Sequence, residues 1–218
     1  MKKSFEQVKG LKVTVMGLGL NGGGVEAARF FARNGARVTV TDLRSEETLQ
    51  PSLQALASFP IRYVLGKHNP EDFSEADLVV KNPAVPPNSP FLKLAKKVET
   101  DISLFLTYFT GPIFGVTGTK GKSTVSSALH AGLRKVFPAS RLGGNITVSP
   151  LQFLEELTHD TPVVLELSSW QLGDLPDPSK LKPKIAIITN LFPDHQDRYP
   201  DMESYARDKA ILFRNQTK

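Results

Sequence analysis

Cysteine is missing from this sequence of 218 residues, and long hydrophobic runs are missing as well. Without cysteine the chain can form neither disulfides nor thiolate metal sites, so a bound metal would have oxygen and nitrogen ligands. No segment approaches the roughly 20 consecutive apolar residues of a membrane-spanning helix. Residues 1–6 carry charge but are not followed by the apolar core of a signal peptide. We therefore expect a cytoplasmic protein that does not bind membranes.

A concentrated charge of one sign is also lacking. The formal net charge is +5, from 27 basic and 22 acidic residues. The basic side chains are scattered rather than grouped beside aromatic ones, which argues against a nucleic-acid partner. A modest positive excess suits small molecules that carry phosphate groups. The length suits two domains of about a hundred residues each.

The first half of the chain alternates strand-like and helix-like segments and predicts an α/β fold, with a Rossmann-like domain over residues 1–110. A short apolar strand at 11–16 leads into a Gly-x-Gly-x-x-Gly loop at 17–22, and a helix and a second strand ending at Asp42 follow. In such folds the glycines allow close approach to a pyrophosphate, and the acidic residue accepts hydrogen bonds from a nucleoside. The pattern alone leaves open a dinucleotide cofactor, another nucleotide, or tight packing without a ligand.

Further strands are predicted at 61–65 and 77–81, and the second leads into a proline-rich loop at 82–87. Ligands of doubly wound sheets lie at the carboxyl ends of strands, where this loop begins. A stiffened connection without a ligand explains the prolines equally well. A helix-like segment at 101–109 ends before a break at 110–112, where we place the domain boundary.

The second half, residues 111–218, contains the most specific motif of the chain. A strand at 112–117 leads into T-G-T-K-G-K-S-T at 117–124, and a helix is predicted from Lys122 to residue 136. This strand–loop–helix arrangement binds nucleotide phosphates through backbone N–H groups, with Lys122 as a cation and the Ser123 hydroxyl within reach of Mg²⁺. Val116 departs from the usual P-loop pattern, which has a glycine there. We predict a partial P-loop α/β domain with a mostly parallel sheet.

Two later segments add polar candidates. Residues 141–146 predict a glycine turn that displays Asn145. Glu166 lies inside an apolar strand at 162–167, where a carboxylate is costly to bury unless it is paired or faces a metal. The alternative is a solvated acid at the end of the strand.

The carboxyl-terminal region contributes a histidine and a lysine. A second buried strand is predicted at 184–189, and His195 follows it among acidic residues, at the edge of the sheet where ligands bind. Lys209 stands on a helix predicted over 204–214, and by charge alone it is a surface lysine.

Taken together, the motifs resemble those of the Mur ligases. Five occur in order: G-L-G-L-N-G at 17–22, T-G-T-K-G-K-S-T at 117–124, G-G-N-I at 143–146, L-E-L-S-S-W-Q-L at 165–172 and D-H-Q-D-R-Y at 194–199. The last two are similar to those of the members that add D-glutamate to UDP-N-acetylmuramoyl-L-alanine in peptidoglycan synthesis. Two positions depart from the family pattern: Lys120, where asparagine is commoner, and Ala84, where glycine is usual.

The resemblance implies a role for individual residues. A UDP-sugar, rather than NAD, would be bound by Gly19, Leu20, Asn21, Asp42, Leu43, Arg44, Asn82, Pro83 and Asn145. ATP would be bound by Gly118, Thr119, Lys120, Gly121, Lys122, Ser123 and Thr124. Mg²⁺ would be held by Ser123 and Glu166, and a second ion by His195, with Lys209 as an anionic partner if it is carbamylated. The catalytic residues would be Lys122, His195 and Lys209.

The implied reaction is an ATP-dependent ligation. The carboxylate of the UDP-substrate attacks the γ-phosphate of ATP to give an acyl phosphate, from which the amine of D-glutamate displaces phosphate. Catalysis would consist mainly of positioning and charge neutralisation. Family members have three domains, so we expect this chain to lack the D-glutamate-binding domain and to be inactive alone, and the full-length enzyme to be a monomer. A dinucleotide-binding redox or sensor module and a P-loop phosphotransferase acting on a small molecule remain as alternatives.

Overall fold

A computed structural model describes residues 5–20 and 22–216 of the chain. Asn21, one of the predicted substrate-binding residues, lies outside the described residues. The chain divides into two compact units, Met1–Leu104 and Phe105–Lys218. The break at 110–112 in the sequence predicts a boundary at 110, a few residues later. The helix Asp101–Tyr108 begins in the first unit and ends in the second.

The first unit is a five-stranded parallel sheet. Its strands are β1 (Lys12–Met16), β2 (Arg37–Asp42), β3 (Ile61–Leu65), β4 (Leu78–Lys81) and β5 (Val98–Glu99). Its helices are α1 (Gly23–Arg33), α2 (Glu46–Gln54), α3 (Glu71–Ser74) and the shared α4 (Asp101–Tyr108). The strand order is β3-β2-β1-β4-β5, and all neighbours are parallel. This confirms the predicted α/β fold with a Rossmann-like arrangement.

Strand β1 fixes where a ligand can bind in this unit. It pairs with β2 on one side and β4 on the other. The connections after β1 and β4 therefore lead away from each other and open a crevice at the carboxyl edge of the sheet. Helix α1 is the next element after β1 and the glycine loop, and it buries Val25, Ala28 and Phe31 at helical spacing.

The second unit contains a four-stranded parallel sheet. Its strands are β6 (Ile113–Thr117), β7 (Arg141–Gly144), β8 (Val163–Glu166) and β9 (Ile185–Ile188), and its helices are α5 (Lys122–Val136), α6 (Ser169–Gly173) and α7 (Met202–Arg214). The order is β7-β8-β6-β9, with every pair parallel. Strand β8 is buried along its whole length, as expected for a strand covered on both faces. The predicted mostly parallel sheet is confirmed.

Two details of the second unit differ from the sequence expectations. Residues 141–144 form strand β7 rather than only a glycine turn. A side chain on Gly143 would meet the Phe153 ring and the Val148 carbonyl, so glycine suits this strand. Strand β9 was expected to be buried, yet Ile185 and Ile188 are each 43% exposed. The reason is that β9 lies at the edge of the sheet.

None of the helices within residues 5–20 and 22–216 has the length and apolar character needed to cross a membrane.

Two candidate nucleotide-binding sites

The first unit has a cleft of about 660 Å³ at the carboxyl edge of its sheet. Each of the strands β1 to β4 contributes residues from its carboxyl end or from the loop that follows. The lining residues are Met16, Gly17, Gly19, Leu20, Asp42, Leu43, Arg44, His68, Asn82, Ala84, Val85, Pro86, Asn88, Ser89, Pro90 and Phe91. Of the predicted UDP-substrate residues of this unit, six lie together here. Pro83 is not among the described residues that line the cleft, and Asn145 belongs to the second unit.

The glycine loop after β1 has little room for side chains. Gly17 and Gly19 have φ angles of 86° and 63°, in the left-handed region that favours glycine. A Cβ atom on Gly17 would lie 2.9 Å from the Cβ atom of Asn82. The missing side chain therefore lets the loop after β1 approach the loop after β4. The Ser52 hydroxyl donates to the Gly19 carbonyl at 2.7 Å and helps to hold the loop in this conformation.

Asp42 joins two backbone segments of the cleft. Its Oδ2 accepts from the Gly19 N–H at 3.1 Å, and its Oδ1 accepts from the Arg44 N–H at 2.9 Å. Sequence reasoning assigned this carboxylate to the ligand alone, but the structure also uses it to fix the glycine loop against the turn after β2. A carboxylate has about four lone-pair sites, so it retains acceptor capacity for a ligand.

The loop after β4 tolerates alanine at the position where the family more often has glycine. The Asn82 side-chain oxygen accepts from the Ala84 N–H at 3.1 Å, closing a local turn. Ala84 does not have the positive φ that would require glycine.

Sequence reasoning missed His68 and Phe91 in this cleft. Their rings pack edge to face, with centroids 5.0 Å apart. Burial lowers the pKa of His68 below its ordinary value, opposed by the charge of Asp42. His68 follows β3 closely at the carboxyl edge of the sheet, and that position was the available signal.

The second unit forms its site around the phosphate loop. Helix α5 begins at Lys122, as predicted, and Gly118 and Gly121 have φ angles of 140° and 80°. The Lys122 Nζ donates to the carbonyls of Gly118 at 3.0 Å and Thr119 at 2.9 Å, so the ammonium group lies over its own loop. Burial lowers the pKa of Lys122, and the charge of Glu166 opposes that shift.

Residues after β9 hold the phosphate loop in place. Asn190 accepts from the Thr119 N–H at 3.0 Å through its carbonyl and from the Lys120 N–H at 2.9 Å through its side chain. The Thr189 hydroxyl donates to the Lys120 carbonyl at 2.6 Å. A side chain on Gly118 would collide with Thr189. These contacts lie about 70 positions apart in sequence, so no local pattern could have revealed them.

Glu166 lies beside this loop and is 1% exposed. Its Oε1 accepts from the Ser123 hydroxyl at 3.2 Å and from the Asn145 side-chain amide at 3.3 Å, and its Oε2 accepts from the Ser126 hydroxyl at 3.0 Å. The alternative of a solvated acid at a strand end is therefore wrong. Sequence reasoning missed Ser126, although a hydroxyl three residues after Ser123 shares its face of α5.

The donor set at Glu166 fits Mg²⁺. A buried carboxylate and an adjacent hydroxyl provide two oxygen ligands, and Mg²⁺ in nucleotide sites usually takes its others from phosphates and water. No group of three or more acidic or histidine side chains suited to a metal occurs in residues 5–20 and 22–216. Ser123 and Glu166 have oxygen atoms that could hold such an ion.

His195 and Lys209 both lie close to the ring of Tyr205. The exposed His195 ring is 6.4 Å from the Tyr205 ring, and the Lys209 Nζ lies 4.5 Å from the centre of the same ring. Asp194, next to His195, forms an ion pair with Lys120 at 3.2 Å. Thr124 lies exposed on the first turn of α5.

Lys209 is buried, so its interpretation as a surface lysine is wrong. It is 2% exposed, and its Nζ donates to the Gly118 carbonyl at 2.9 Å. Burial, reinforced by the positive charge of Lys122, lowers the pKa of Lys209 to about 8. Packing of α7 against β6 and α6 determines this burial, which residue type alone could not predict.

We expect Lys209 to make stability depend on pH in alkaline solution. Its pKa is about 8 in the folded chain against an ordinary 10.5, so between these values the unfolded chain binds the additional proton. The free energy of unfolding should therefore rise with pH from about 8 to 10.5 through this residue. Urea unfolding in CO₂-free buffers should show a weaker rise in Lys209→Met than in the unsubstituted chain. Lys184→Met, at an exposed lysine, should retain the full rise, and equal slopes in all three chains would contradict the assignment.

The two units define a nucleotide-binding α/β protein, with a glycine loop in one sheet and a phosphate loop beside a buried carboxylate in the other. The family model "Mur ligase MurD-like, N-terminal domain" matches residues 11–103, and "Mur ligase middle domain" matches residues 116–218. The chain belongs to the Mur ligase family. Membership in this family decides against a redox or sensor module and against a small-molecule phosphotransferase.

Three curated relatives are each named UDP-N-acetylmuramoylalanine--D-glutamate ligase. Those from Borreliella afzelii, Roseiflexus sp. and Treponema pallidum are 53%, 50% and 48% identical to this chain over 215, 214 and 233 residues. The matches cover 98%, 96% and 99% of this chain and 47%, 46% and 44% of the respective relatives. The chain thus spans about half the length of the curated relatives it matches.

Solved structures agree on the fold. The UDP-N-acetylmuramate-alanine ligase MurC from Thermotoga maritima is 25% identical, with a TM-score of 0.58, and the match covers 94% of this chain and 47% of that one. The murein peptide ligase Mpl from Psychrobacter arcticus is 14% identical, with a TM-score of 0.54 over 95% of this chain and 47% of its own. At that identity the second match bears on the fold alone.

Proposed function

We propose that this chain forms the UDP-substrate-binding and ATP-binding parts of a cytoplasmic ligase that joins D-glutamate to UDP-N-acetylmuramoyl-L-alanine in peptidoglycan synthesis. The observation that carries the proposal is the contact between Ser123, at the phosphate loop, and the buried Glu166 carboxylate at 3.2 Å. A buried acid beside a phosphate loop is suited to a metal–nucleotide complex. The name shared by the curated relatives supports the choice of substrates.

In the first unit we assign the cleft to the uridine diphosphate part of the substrate. The backbone of Gly19 and Leu20, together with Asn21, would bind the pyrophosphate, because glycine loops after a first strand allow the backbone to approach it closely. Asp42, Leu43 and Arg44 would surround the uracil. Asn82 and Pro83 would bind further along the substrate, and we also assign Asn145 to the substrate.

In the second unit we assign the loop from Gly118 to Thr124 to the phosphates of ATP. Backbone N–H groups at the start of α5 and the Lys122 ammonium provide positive potential for them. Ser123 and Glu166 would hold Mg²⁺, which when bound neutralises charge on the phosphate oxygens. We assign His195 to a second ion.

Lys209 is proposed to carry a carbamate. Its lowered pKa of about 8 leaves a larger neutral fraction than an ordinary lysine has near pH 7, and only the neutral amine attacks CO₂. The ammonium first loses a proton, and the neutral amine then bonds to the carbon of CO₂ and loses a second proton, so a cation becomes an anion. A carbamate offers oxygen ligands that an ammonium group lacks. Its negative charge would also be favoured by the nearby Lys122.

The proposed chemistry proceeds through an acyl phosphate. The substrate carboxylate bonds to the γ-phosphorus of ATP as the bond to ADP breaks, and the amine of D-glutamate then displaces phosphate. Lys122 would stabilise charge that spreads over the transferring phosphoryl oxygens, so its role is electrostatic and positional.

Calorimetric titration tests the substrate assignment on the chain as it stands. We expect UDP-N-acetylmuramoyl-L-alanine to bind at one site per chain and NADH to give no binding heat. MgATP should bind at a second, independent stoichiometric site. Binding of NADH without binding of the UDP compound would overturn the proposal.

A further inference from the structure

His68 has a defined hydrogen-bonding arrangement that the proposed function does not use. Its Nδ1 lies 2.6 Å from the Thr41 hydroxyl oxygen, and the same hydroxyl donates to the Lys67 carbonyl at 3.0 Å. A hydroxyl has only one proton, and a carbonyl can only accept. Both contacts are satisfied only if the Thr41 hydroxyl donates to Lys67 and accepts from His68. The proton of the neutral imidazole therefore lies on Nδ1.

The consequence is an unprotonated Nε2 on a cleft-lining side chain. A neutral imidazole with its proton on Nδ1 has an acceptor lone pair on Nε2. The ring is held by edge-to-face contacts with Phe73 and Phe91, at centroid distances of 5.7 and 5.0 Å. Phe73 is fully buried, so the ring has a rigid support. His68 thus brings a hydrogen-bond acceptor to the lining of a cleft that also includes Asp42 and Arg44.

We propose that His68 is a specificity-determining residue whose Nε2 accepts a hydrogen bond from an N–H or O–H group of the nucleoside bound in this cleft. The uridine part of UDP offers three such donors, namely the base N3–H and the ribose 2′- and 3′-hydroxyls. The inference rests on the proposed UDP-substrate function of the cleft. Thr41 acts through His68 as a positioning residue, because it selects the tautomer.

The charge state of His68 supports this role. Burial lowers its pKa, which favours the neutral ring that carries the acceptor, while the charge of Asp42 opposes the shift. Protonation in acid turns Nε2 into a donor, which a ligand N–H or O–H group cannot use. The charged groups that line the cleft around His68 are Asp42 and Arg44, and Lys67 precedes it in the chain. Affinity for the ligand should therefore fall as pH drops through the pKa of His68.

The test compares UDP with three analogues, 3-methyl-UDP, 2′-deoxy-UDP and 3′-deoxy-UDP, by calorimetry on the whole chain. His68→Phe keeps an aromatic ring against Phe73 and Phe91 but has no acceptor. We expect it to bind UDP about three- to tenfold more weakly, the effect of one hydrogen bond. His68→Gln, which can place an oxygen near the position of Nε2, should recover part of that loss. His159→Phe, at an exposed histidine of the second unit, should bind UDP like the unsubstituted chain.

The ligand group that donates to His68 is identified by comparing how much each analogue weakens binding to the unsubstituted chain and to His68→Phe. If His68 accepts from N3–H, methylation of N3 should weaken binding by the unsubstituted chain but have a smaller effect on His68→Phe. The corresponding coupling with a deoxy analogue would place the donor on the ribose. The loss of affinity for UDP at low pH should also be smaller in His68→Phe than in the unsubstituted chain. Protonation of the diphosphate affects both chains equally, so it does not contribute to the difference between them. Equal penalties in both chains for all three analogues would overturn the inference.

A spectroscopic measurement guards against a variant that fails to fold. Long-range ¹⁵N–¹H correlation spectra of the labelled, unsubstituted chain should show His68 protonated at Nδ1, with an Nε2 resonance that shifts when UDP is added. A ring protonated at Nε2 in the free chain, or an Nε2 resonance unaffected by bound UDP, would overturn the inference. Thr41→Val should give a mixture of tautomers and bind UDP about two- to threefold more weakly, because only part of the population presents the acceptor.

The two proposals fail in distinguishable ways. If the unsubstituted chain does not bind UDP-N-acetylmuramoyl-L-alanine, the proposed function of the cleft fails and the His68 inference fails with it. If it binds that compound and His68→Phe binds UDP unchanged, only the His68 inference fails.

Discussion

Lys122→Met is expected to lower the affinity for ATP by about a hundredfold or more. The Lys122 Nζ lies over the loop, 3.0 and 2.9 Å from the Gly118 and Thr119 carbonyls, where phosphate oxygens would attract it. Two charge-assisted hydrogen bonds at about 1.5 kcal/mol each correspond to about a hundredfold in affinity. Methionine keeps the aliphatic length, so the packing at the start of α5 should be retained. Calorimetric titration with MgATP measures the effect.

A matched lysine on the same helix provides the control. Lys135 is exposed in the last turn of α5, far along the helix from the loop. Lys135→Met should change the affinity for ATP less than twofold, while it changes the net charge by the same amount. If Lys122→Met bound ATP as tightly as Lys135→Met, the phosphate loop would not bind a triphosphate through this lysine.

Glu166→Gln is expected to remove most of the effect of Mg²⁺ on ATP binding, lowering the affinity in Mg²⁺ by about ten- to a hundredfold. Changing a group that only supports a metal ligand costs about this much, and a direct ligand should cost at least as much. Glutamine keeps the size of the side chain but carries no charge. Its amide nitrogen cannot accept from Ser126, which now donates to Oε2. ATP affinity should be measured with Mg²⁺ and with EDTA.

The control for this prediction is Glu203→Gln, an exposed acid in the first turn of α7 that pairs with Arg207. Surface pairs of this kind contribute little, so this variant should keep the full difference between Mg²⁺ and EDTA. A Glu166→Gln chain that kept that difference would show that the carboxylate does not serve the metal. ATP binding in EDTA should be similar in both variants, which separates loss of the metal from loss of the loop.

Local sequence signals predicted the elements well where they were strong. The bounds of α5, residues 122–136, match the prediction, because a glycine turn and a lysine mark its start. The burial of Glu166 also agrees with its position inside an apolar strand, since a carboxylate there needs partners. Both inferences depend on residues within a few positions of one another.

Contacts between distant segments could not be predicted in this way. Lys209 donates to Gly118, 91 positions earlier, and is buried only because α7 packs beside the loop. The Ser126 hydroxyl on α5 donates to the Glu166 carboxylate at the end of β8, 40 positions later. The tautomer of His68 depends on Thr41, at the end of the neighbouring strand. Charge and periodicity do not determine which side chains meet once the sheet has formed.

The register of β8 determines where this chain can change in length. Glu166 is the last residue of β8, and it is paired in register with Val116 of β6 and Gly144 of β7. A single inserted residue within β8 would turn the carboxylate to the opposite face of the sheet. In the connection from β7 to β8, the exposed turn at 158–160 lies outside these pairings and can lengthen at little entropic cost. Natural length variation in this unit should therefore collect in that connection and be absent from β8.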